Sequence, residues 1–396
     1  MRKNPDYALR TLSGVPFLLP FGQAIADQRR GVQLGGSGPL LWSMLDRYSD
    51  SETLIDAFLD RLEVDGPQRE KARADAARFL SELRALGLLE PEGLPVQTDR
   101  VPAFARLRVG PLGVLLRGAA EWFHDDFAPF LSPAEDPGPV HQTVTVIQAP
   151  SPGCAGLRCL LQNDQLEVFK GPDRLLLRFP SMPGIAGAVL TPEGDRAVFH
   201  LCGRDGGDRQ DLFHAIRHAV LYRAQRQGLF ALHAASVLYR SRVWLFSAPS
   251  GTGKSTHAAL WQDRFGTPVL NGDLALLSAG EDGAVFHPLP WCGTSGITVE
   301  ETHPLGGVIF LRQARGNSAV LLPEADRQLR LTNRLISPIW TEEQLVESLS
   351  FAGRLAGQVG MWQLDCTPDP AAADCMKDAV DRFLEDAGGG GSGRAR

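Results

Sequence analysis

A glycine-rich segment near the middle of the chain has the residue types needed to bind phosphate groups. It follows the apolar run of residues 243–246 and precedes a helical pattern over residues 258–261. An order of strand, glycine-rich loop and helix turns backbone N–H groups and the positive end of the helix dipole toward phosphate oxygens. The segment comprises Ala248, Pro249, Ser250, Gly251, Thr252, Gly253, Lys254, Ser255 and Thr256. This pattern predicts a nucleotide-binding loop.

Individual residues of this segment suit separate tasks. Gly251 and Gly253 let the backbone approach a ligand closely, Lys254 can reach the β- and γ-phosphates, and the Ser255 hydroxyl can coordinate Mg²⁺. The segment departs from the GxxxxGK[ST] pattern at its first position, where Ala248 stands in place of glycine. The chain has only five lysines in 396 residues, so a chance GxGK[ST] match is expected about 0.01 times. Kinases, ATPases and GTPases share such loops, and the motif leaves the reaction open.

Two further residues are candidates for the chemistry. Asp273 follows the predicted strand of residues 268–270, where it can bind Mg²⁺ or accept a proton from an attacking hydroxyl. His233 lies 21 residues before Lys254, in the strand that precedes the loop strand. An ordinary turn aspartate and a structural histidine are the alternatives at these two positions.

Composition excludes several classes of protein. Forty basic and 46 acidic side chains give a net charge of −6, which argues against a general nucleic-acid binder. We found neither a continuous apolar run long enough to span a bilayer nor a signal-peptide pattern, so we expect no membrane partner and a cytoplasmic location. The six cysteines are scattered without paired spacing, which favours reduced thiols.

The first 92 residues have the pattern of a separate domain. Residues 7–12 and 15–21 predict a hairpin, and residues 30–34 a third strand. Helices are expected to begin at Gly38, at Ser51 and near Pro67, the last ending at a Gly87 cap. Strands followed by three helices indicate a winged-helix-like unit.

Mixed strand and helix patterns follow a proline-rich linker and predict an α/β (α+β) domain over residues 100–385. Residues 107–116 are strand-like with a Gly-Pro interruption, and residues 119–131 are helix-like. A long helix is expected over residues 210–226, with His214 and His218 on a solvated face. Residues 386–396 are expected to form a flexible glycine-rich tail.

The second domain resembles the HPr kinase family, which has a phosphoenolpyruvate-carboxykinase-like fold. The resemblance is carried by His233, the glycine-rich loop and Asp273, and is strongest over residues 230–277. It implies that Asp273 is the general base, that His233 lies close to the reacting phosphates, and that ATP and Mg²⁺ are bound, the metal by Ser255 and Asp273.

Where that family has paired aspartates, this chain has Gly272 and Asp273. A segment over residues 290–295 (PWCGTS) also resembles one in HPr-kinase-related proteins of biosynthetic clusters, either lining the acceptor side or packing its tryptophan in a turn.

The first domain is similar to PqqD-like peptide-recognition domains, which bind the leader of a ribosomally made precursor peptide as an added strand. The likeness rests on the hairpin, the segment of residues 34–42, the helix start at Ser51 and the long helix that follows, with Gly35 where that family usually has asparagine. A winged-helix DNA reader is the alternative. Residues 1–92 contain 12 basic and 14 acidic side chains, which favours the peptide because a DNA-binding module should be basic.

These observations predict a two-domain enzyme that transfers the γ-phosphoryl group of ATP to a hydroxyl of a precursor peptide. Serine is the expected acceptor by family resemblance. A non-catalytic, nucleotide-switched peptide carrier is the alternative function. The sequence identifies neither the peptide nor the acceptor position, and it leaves a homo-oligomer open.

Overall fold

The structure is a computed structural model that describes residues 3–4, 7–21, 30–48, 51–86, 88–89, 98–154, 157–202 and 208–389. The chain forms two compact units. The first unit comprises residues 1–98 with residues 151–159 and 169–172, and the second comprises the remainder. Both contain helices and strands, which confirms the mixed α/β class.

The first unit is a three-stranded sheet followed by three helices, as predicted. Its elements are β1 (Tyr7–Leu12), β2 (Val15–Pro20), β3 (Val32–Gln33), α1 (Gly38–Met44), α2 (Ser51–Arg61) and α3 (Pro67–Ala85). The hairpin is antiparallel with Tyr7 opposite Pro20, and the strand order is β1-β2-β3. One side of each helix packs into an apolar core whose fully buried members include Leu18, Leu45 and Leu80. The expected cap Gly87 lies outside the described residues.

A nine-stranded sheet, assigned to the second unit except for the first residues of β8 and the last of β9, has the strand order β6-β4-β5-β7-β12-β11-β10-β9-β8. Its strands are β4 (Ala103–Val109), β5 (Leu112–Arg117), β6 (Leu131–Ser132), β7 (Gln142–Gln148), β8 (Arg158–Gln162), β9 (Glu167–Lys170), β10 (Leu175–Arg178), β11 (Ile185–Leu190) and β12 (Arg196–Leu201). The long helix α4 (Arg209–Arg226) packs on this sheet.

Of two predictions in this part of the chain, the first was confirmed and the second was wrong. The pattern over residues 107–116 belongs to two strands, β4 and β5, since the Gly-Pro pair is the turn of a hairpin. The segment of residues 119–131 is not an α-helix but two 3₁₀ turns, Ala120–Trp122 and Asp125–Phe130. Pro129, which lacks a backbone N–H, lies inside the second turn, and the His124 ring caps its start.

An eight-stranded sheet with helices on both faces completes the second unit. Its strands are β13 (Phe230–Tyr239), β14 (Arg242–Ser247), β15 (Val269–Asn271), β16 (Leu274–Gly280), β17 (Gly283–His287), β18 (His303–Gln313), β19 (Ser318–Leu321) and β20 (Gly360–Cys366). The helices are α5 (Lys254–Phe265), α6 (Glu324–Thr332), α7 (Glu342–Gln358) and α8 (Pro370–Gly389). Because β14 pairs with both β13 and β18, strands β14, β13, β16, β17 and β18 form a closed circuit of pairings.

Two apolar clusters lie on opposite faces of this sheet. One joins α6 and α7 to the sheet, and the other joins α5 and α8 to it. Among the described residues, no helix is both long enough and apolar enough to cross a membrane. All six cysteines are free thiols, as predicted. Helix α8 continues to Gly389, beyond the boundary at which the tail was expected to begin.

Candidate functional site

The glycine-rich loop, residues 248–256, joins the buried strand β14 to the first turn of α5. Gly251 and Gly253 have φ angles of +75° and +113°, a region that side chains with a Cβ rarely adopt. Gly253 is the N-cap of α5, so the free N–H groups of the first helical turn face the loop. Ala248 is buried against the apolar cluster beneath α5. The predicted order of strand, loop and helix is therefore present, with the backbone geometry that a phosphate cradle requires.

Lys254 is the first residue of α5, and its side chain is buried. Its Nζ lies 3.4 Å from the carbonyl oxygen of Ala248, the first residue of the loop. Burial lowers the pKa of Lys254, the Asp273 carboxylate opposes this shift, and the Arg334 charge adds to it. The Lys254 ammonium is buried and lies against its own loop, where it can bind an anion in that loop.

His233 and Asp273 form a hydrogen-bonded pair beside the loop. His233 Nε2 lies 2.9 Å from Asp273 Oδ1, so the ring N–H donates to the carboxylate. The two side chains are 29% and 33% exposed, which leaves both accessible to a ligand. The Ser247 hydroxyl, at the end of β14, donates to the His233 carbonyl oxygen over 2.8 Å. The pair is thereby tied to the strand that leads into the loop.

Asn271 holds the turn that presents Asp273. Its buried Oδ1 accepts the backbone N–H groups of Asp273 and Leu274, each at 3.0 Å. Its Nδ2 donates to the Trp291 carbonyl oxygen over 3.2 Å. A side chain that satisfies buried backbone groups on both sides fixes the turn. The sequence alone did not indicate a role for this asparagine.

The segment of residues 290–295 contacts this turn directly. A Cβ at Gly293 would lie 2.8 Å from the Asp273 Cβ and 3.0 Å from its Cγ. A Cβ at Gly272 would lie 2.3 Å from the Ser295 Oγ, so Ser295 fills the space that a side chain at position 272 would need. Trp291 is fully buried, and its Nε1 donates to the Phe213 carbonyl oxygen over 2.9 Å. The tryptophan packs in the turn, as one of the two alternatives predicted, and Gly293 lies close to Asp273.

The Asp273 carboxylate is surrounded by cations. The hydrogen bond from His233 lowers the pKa of Asp273 below its ordinary value, burial opposes the shift, and the charges of His233, Lys254 and Arg217 support it. Arg217 belongs to α4. Arg334 is placed by the backbone, since its carbonyl oxygen accepts the His233 N–H over 3.1 Å. Sequence analysis missed both arginines because they lie far from the glycine-rich loop and Asp273 along the chain, and belong to no recognisable motif.

The residues expected to bind Mg²⁺ are oxygen donors of suitable type. Ser255 is exposed in the first turn of α5, and Asp273 offers its second carboxylate oxygen, because His233 occupies only Oδ1. Mg²⁺ sites in phosphoryl-transfer proteins use one or two such protein ligands, with phosphates and water completing the shell. No group of three or more His, Cys, Asp or Glu side chains capable of holding a metal occurs in the described part of the chain. The donors therefore fit a metal that is bound together with a nucleotide.

His214 and His218 were expected on a solvated face of α4, and that expectation was wrong. Both rings are partly buried, and burial lowers the pKa of His218 to about 4. Burial also lowers the pKa of His214. The helix packs on several sides rather than one, because small alanines between its larger residues let neighbouring elements approach. At neutral pH these rings are uncharged.

Comparisons with known proteins distinguish the two units. Residues 23–89 match the family model of PqqD, coenzyme PQQ synthesis protein D. A search of curated proteins found no match. Among solved structures, the Hpr(Ser) kinase/phosphatase from Coxiella burnetii is similar over 42% of this chain and 99% of its own, with 11% identity and a TM-score of 0.27. The first unit thus carries a PqqD domain.

Proposed function

We propose that the chain is an ATP-dependent kinase that phosphorylates a serine hydroxyl of a ribosomally made precursor peptide. One observation carries the proposal. The glycine-rich loop lies beside the His233–Asp273 pair, whose side chains are partly exposed. The hydrogen bond from His233 and the charge of Lys254 in this loop both lower the pKa of Asp273. A phosphate-binding loop beside an ionised, oriented carboxylate is the arrangement that transfer to a hydroxyl requires.

In this proposal, Asp273 accepts the proton of the acceptor hydroxyl. The hydroxyl oxygen forms a bond to the γ-phosphorus, the bond to the bridging oxygen of ADP breaks, and the proton passes to the carboxylate. The hydrogen bond from His233 keeps Asp273 ionised and oriented at neutral pH. Lys254 and the loop N–H groups stabilise charge on the transferring group. Mg²⁺, held by Ser255 and Asp273 with the nucleotide, would supply further charge neutralisation.

The PqqD domain supports a peptide substrate. PqqD-like domains bind leader peptides by adding a strand to a sheet edge, and the described part of β3 pairs only with β2. The Leu34 N–H donates to the Pro16 carbonyl oxygen in β2 over 2.9 Å. Because successive residues of a strand point their N–H groups in opposite directions, the Gln33 N–H faces the open edge. We propose that this edge binds the leader.

The test is incubation of the full chain with γ-labelled ATP and the precursor peptide encoded in the neighbouring genes. Label on the peptide, located by mass spectrometry, supports the kinase. Lys254→Met keeps the buried methylene packing and removes the charge, so we expect folded protein without transfer. Label that stays on the nucleotide while the peptide binds would instead support the nucleotide-switched carrier. Label released only as free phosphate would contradict the kinase.

A further inference from the structure

One helix of the second unit is tied to the turn that presents Asp273. The Phe213 carbonyl oxygen in α4 accepts the Trp291 indole N–H, and the Trp291 carbonyl oxygen accepts the Asn271 amide. Phe213 and Arg217 are four residues apart in α4 and therefore share a face of the helix. The chain of hydrogen bonds places the Arg217 face toward Asp273, in agreement with the electrostatic contact between these two side chains.

Arg217 differs from the other arginines of its helix. Arg209 donates to the Phe123 carbonyl oxygen, Arg223 to the His141 carbonyl oxygen, and Arg226 pairs with Glu347. In the part of the chain that the structure describes, the Arg217 guanidinium makes neither a hydrogen bond nor an ion pair, although the side chain is partly buried. Withdrawing a guanidinium from water without a partner costs free energy. Such a group is suited to receive an anion from a ligand.

The charges that act on Lys254 differ from those that act on Asp273, and this difference indicates where that anion would bind. Arg334 and Asp273 are the charges that act on Lys254, whereas Arg217 acts on Asp273. Arg334 and Lys254 thus belong to the side of the glycine-rich loop, where the donor phosphates are proposed to bind. Arg217 acts on the proposed base itself, which an incoming hydroxyl must contact in the proposed reaction.

Asp273 is the carboxylate that acts on Arg217. His214 and His218 are uncharged at neutral pH, as described above. The Asp126 carboxylate is 50% exposed to water. The hydrogen-bond donors of the Arg217 guanidinium are therefore available to a ligand beside Asp273.

We infer that Arg217 is a specificity-determining residue that binds a carboxylate of the acceptor peptide close to the hydroxyl to be phosphorylated. This inference rests on the proposed kinase function and adds to it a substrate class: peptides with an acidic group near the acceptor serine. A planar guanidinium binds a carboxylate through two parallel hydrogen bonds, which fixes orientation as well as charge. Arg217 would then place the hydroxyl against Asp273.

The experiment measures transfer from γ-labelled ATP to synthetic serine peptides by the full chain. Each peptide carries Asp or Glu at one position within three residues of the serine, and its partner carries the isosteric Asn or Gln. We expect wild type to favour the best acidic peptide by about tenfold or more in kcat/KM, mainly through KM. Arg217→Gln should remove this preference, so that kcat/KM becomes equal for each acidic peptide and its neutral partner even if turnover of both falls because Asp273 loses a neighbouring charge. Arg217→Glu should reverse the preference toward peptides with lysine at the same position.

Controls separate this role from a structural one. Arg226→Gln removes a guanidinium from the same helix away from the candidate site, and should leave the preference unchanged. Arg217→Lys keeps the charge and should retain part of the preference. An acidic preference that persists in Arg217→Gln, whatever the common change in kcat, would show that Arg217 acts on the base, the phosphoryl group or the fold, and would overturn the inference. Wild-type transfer without any acidic preference would overturn the inference alone, whereas absence of transfer to every peptide would overturn the kinase function and the inference with it.

Discussion

The two units use polar side chains in different ways. In the described part of the first unit, the buried core is apolar and the ion pairs, such as Lys3–Asp46 and Arg69–Asp60, lie at the surface. In the second unit, polar side chains are buried next to the glycine-rich loop, among them Ser247, Lys254 and Asn271. Burying a polar group costs free energy unless its hydrogen bonds are satisfied. In the second unit, buried polar groups lie where they form hydrogen bonds that hold neighbouring segments in place.

Under the proposed function, this difference is the one expected between a binding module and a reaction centre. A sheet edge recognises a peptide with backbone groups that any sequence provides, so the first unit needs polar side chains only for solubility. Phosphoryl transfer needs a base, a cation and a loop in fixed relative positions, so the second unit must bury the side chains that set those positions. Substitutions in the two units should therefore affect different measured quantities.

The largest effect in the second unit is expected from the proposed base. Asp273→Asn keeps the size of the side chain and removes its ability to accept a proton, so transfer should fall by about 10²–10⁴-fold. Nucleotide binding, measured by calorimetry, should stay within a few-fold of wild type. Loss of ATP affinity together with recovery at excess Mg²⁺ would show that Asp273 is mainly a metal ligand.

A smaller effect is expected where the segment of residues 290–295 touches the base. Gly293→Ala would place a Cβ 2.8 Å from the Asp273 Cβ, and displacement of a catalytic group by about 1 Å can cost 10²-fold in rate. Gly296→Ala is the matched control, because Gly296 has a φ of +64°, close to the +62° of Gly293, and nothing lies within 4 Å of its added Cβ. Both variants carry the same backbone strain, and only Gly293→Ala should lower kcat steeply. Equal kcat values for the two would mean that the contact with Asp273 is unimportant.

In the first unit, the expected effect is on binding alone. Gln33→Pro removes the outward N–H of β3 and leaves the hydrogen bond of Leu34 to β2 in place. Loss of one backbone hydrogen bond should weaken leader binding by about threefold to tenfold, with kcat at saturating peptide unchanged. Gln33→Ala retains the N–H and is the control. If both variants bind the leader equally well, the peptide does not add to this edge.

The comparison also explains what the sequence could predict. Local signals were sufficient for the hairpin at Ser13, for the helix starts at Gly38 and Ser51, and for the strand and helix around the glycine-rich loop, because turn residues and apolar spacing act over a few positions. The functions of Asn271, Arg217 and Gly293 depend on contacts between distant segments, which spacing along one chain does not reveal. The segment of residues 119–131 was misjudged because its apolar residues face a core contact made with α4 rather than following a helical period.

The pH dependence of stability, which does not involve the proposed reaction, again distinguishes the units. Residues 1–98 contain no histidine, whereas all nine histidines of the chain lie between positions 124 and 303. Burial lowers the pKa of His218 and of His287 to about 4 in the folded chain, against about 6.5 when unfolded. The unfolded state therefore takes up protons first as the pH falls. The stabilisation is complete above pH 6.5 and is lost progressively between pH 6.5 and 4.

Denaturant unfolding at pH 7 and pH 5 measures this difference. A shift of this size corresponds to at most about 3 kcal/mol for each ring, and to less for rings that retain some contact with water. His287→Asn should reduce the loss of unfolding free energy between the two pH values, even if it lowers stability at pH 7 through the lost hydrogen bond to Ser278. The opening free energy of the first unit, followed by amide hydrogen exchange in its helices and corrected for the intrinsic pH dependence of exchange, should change little over the same range because no histidine titrates there. A first unit that loses as much stability as the second would contradict the assignment of the pH effect to buried histidines.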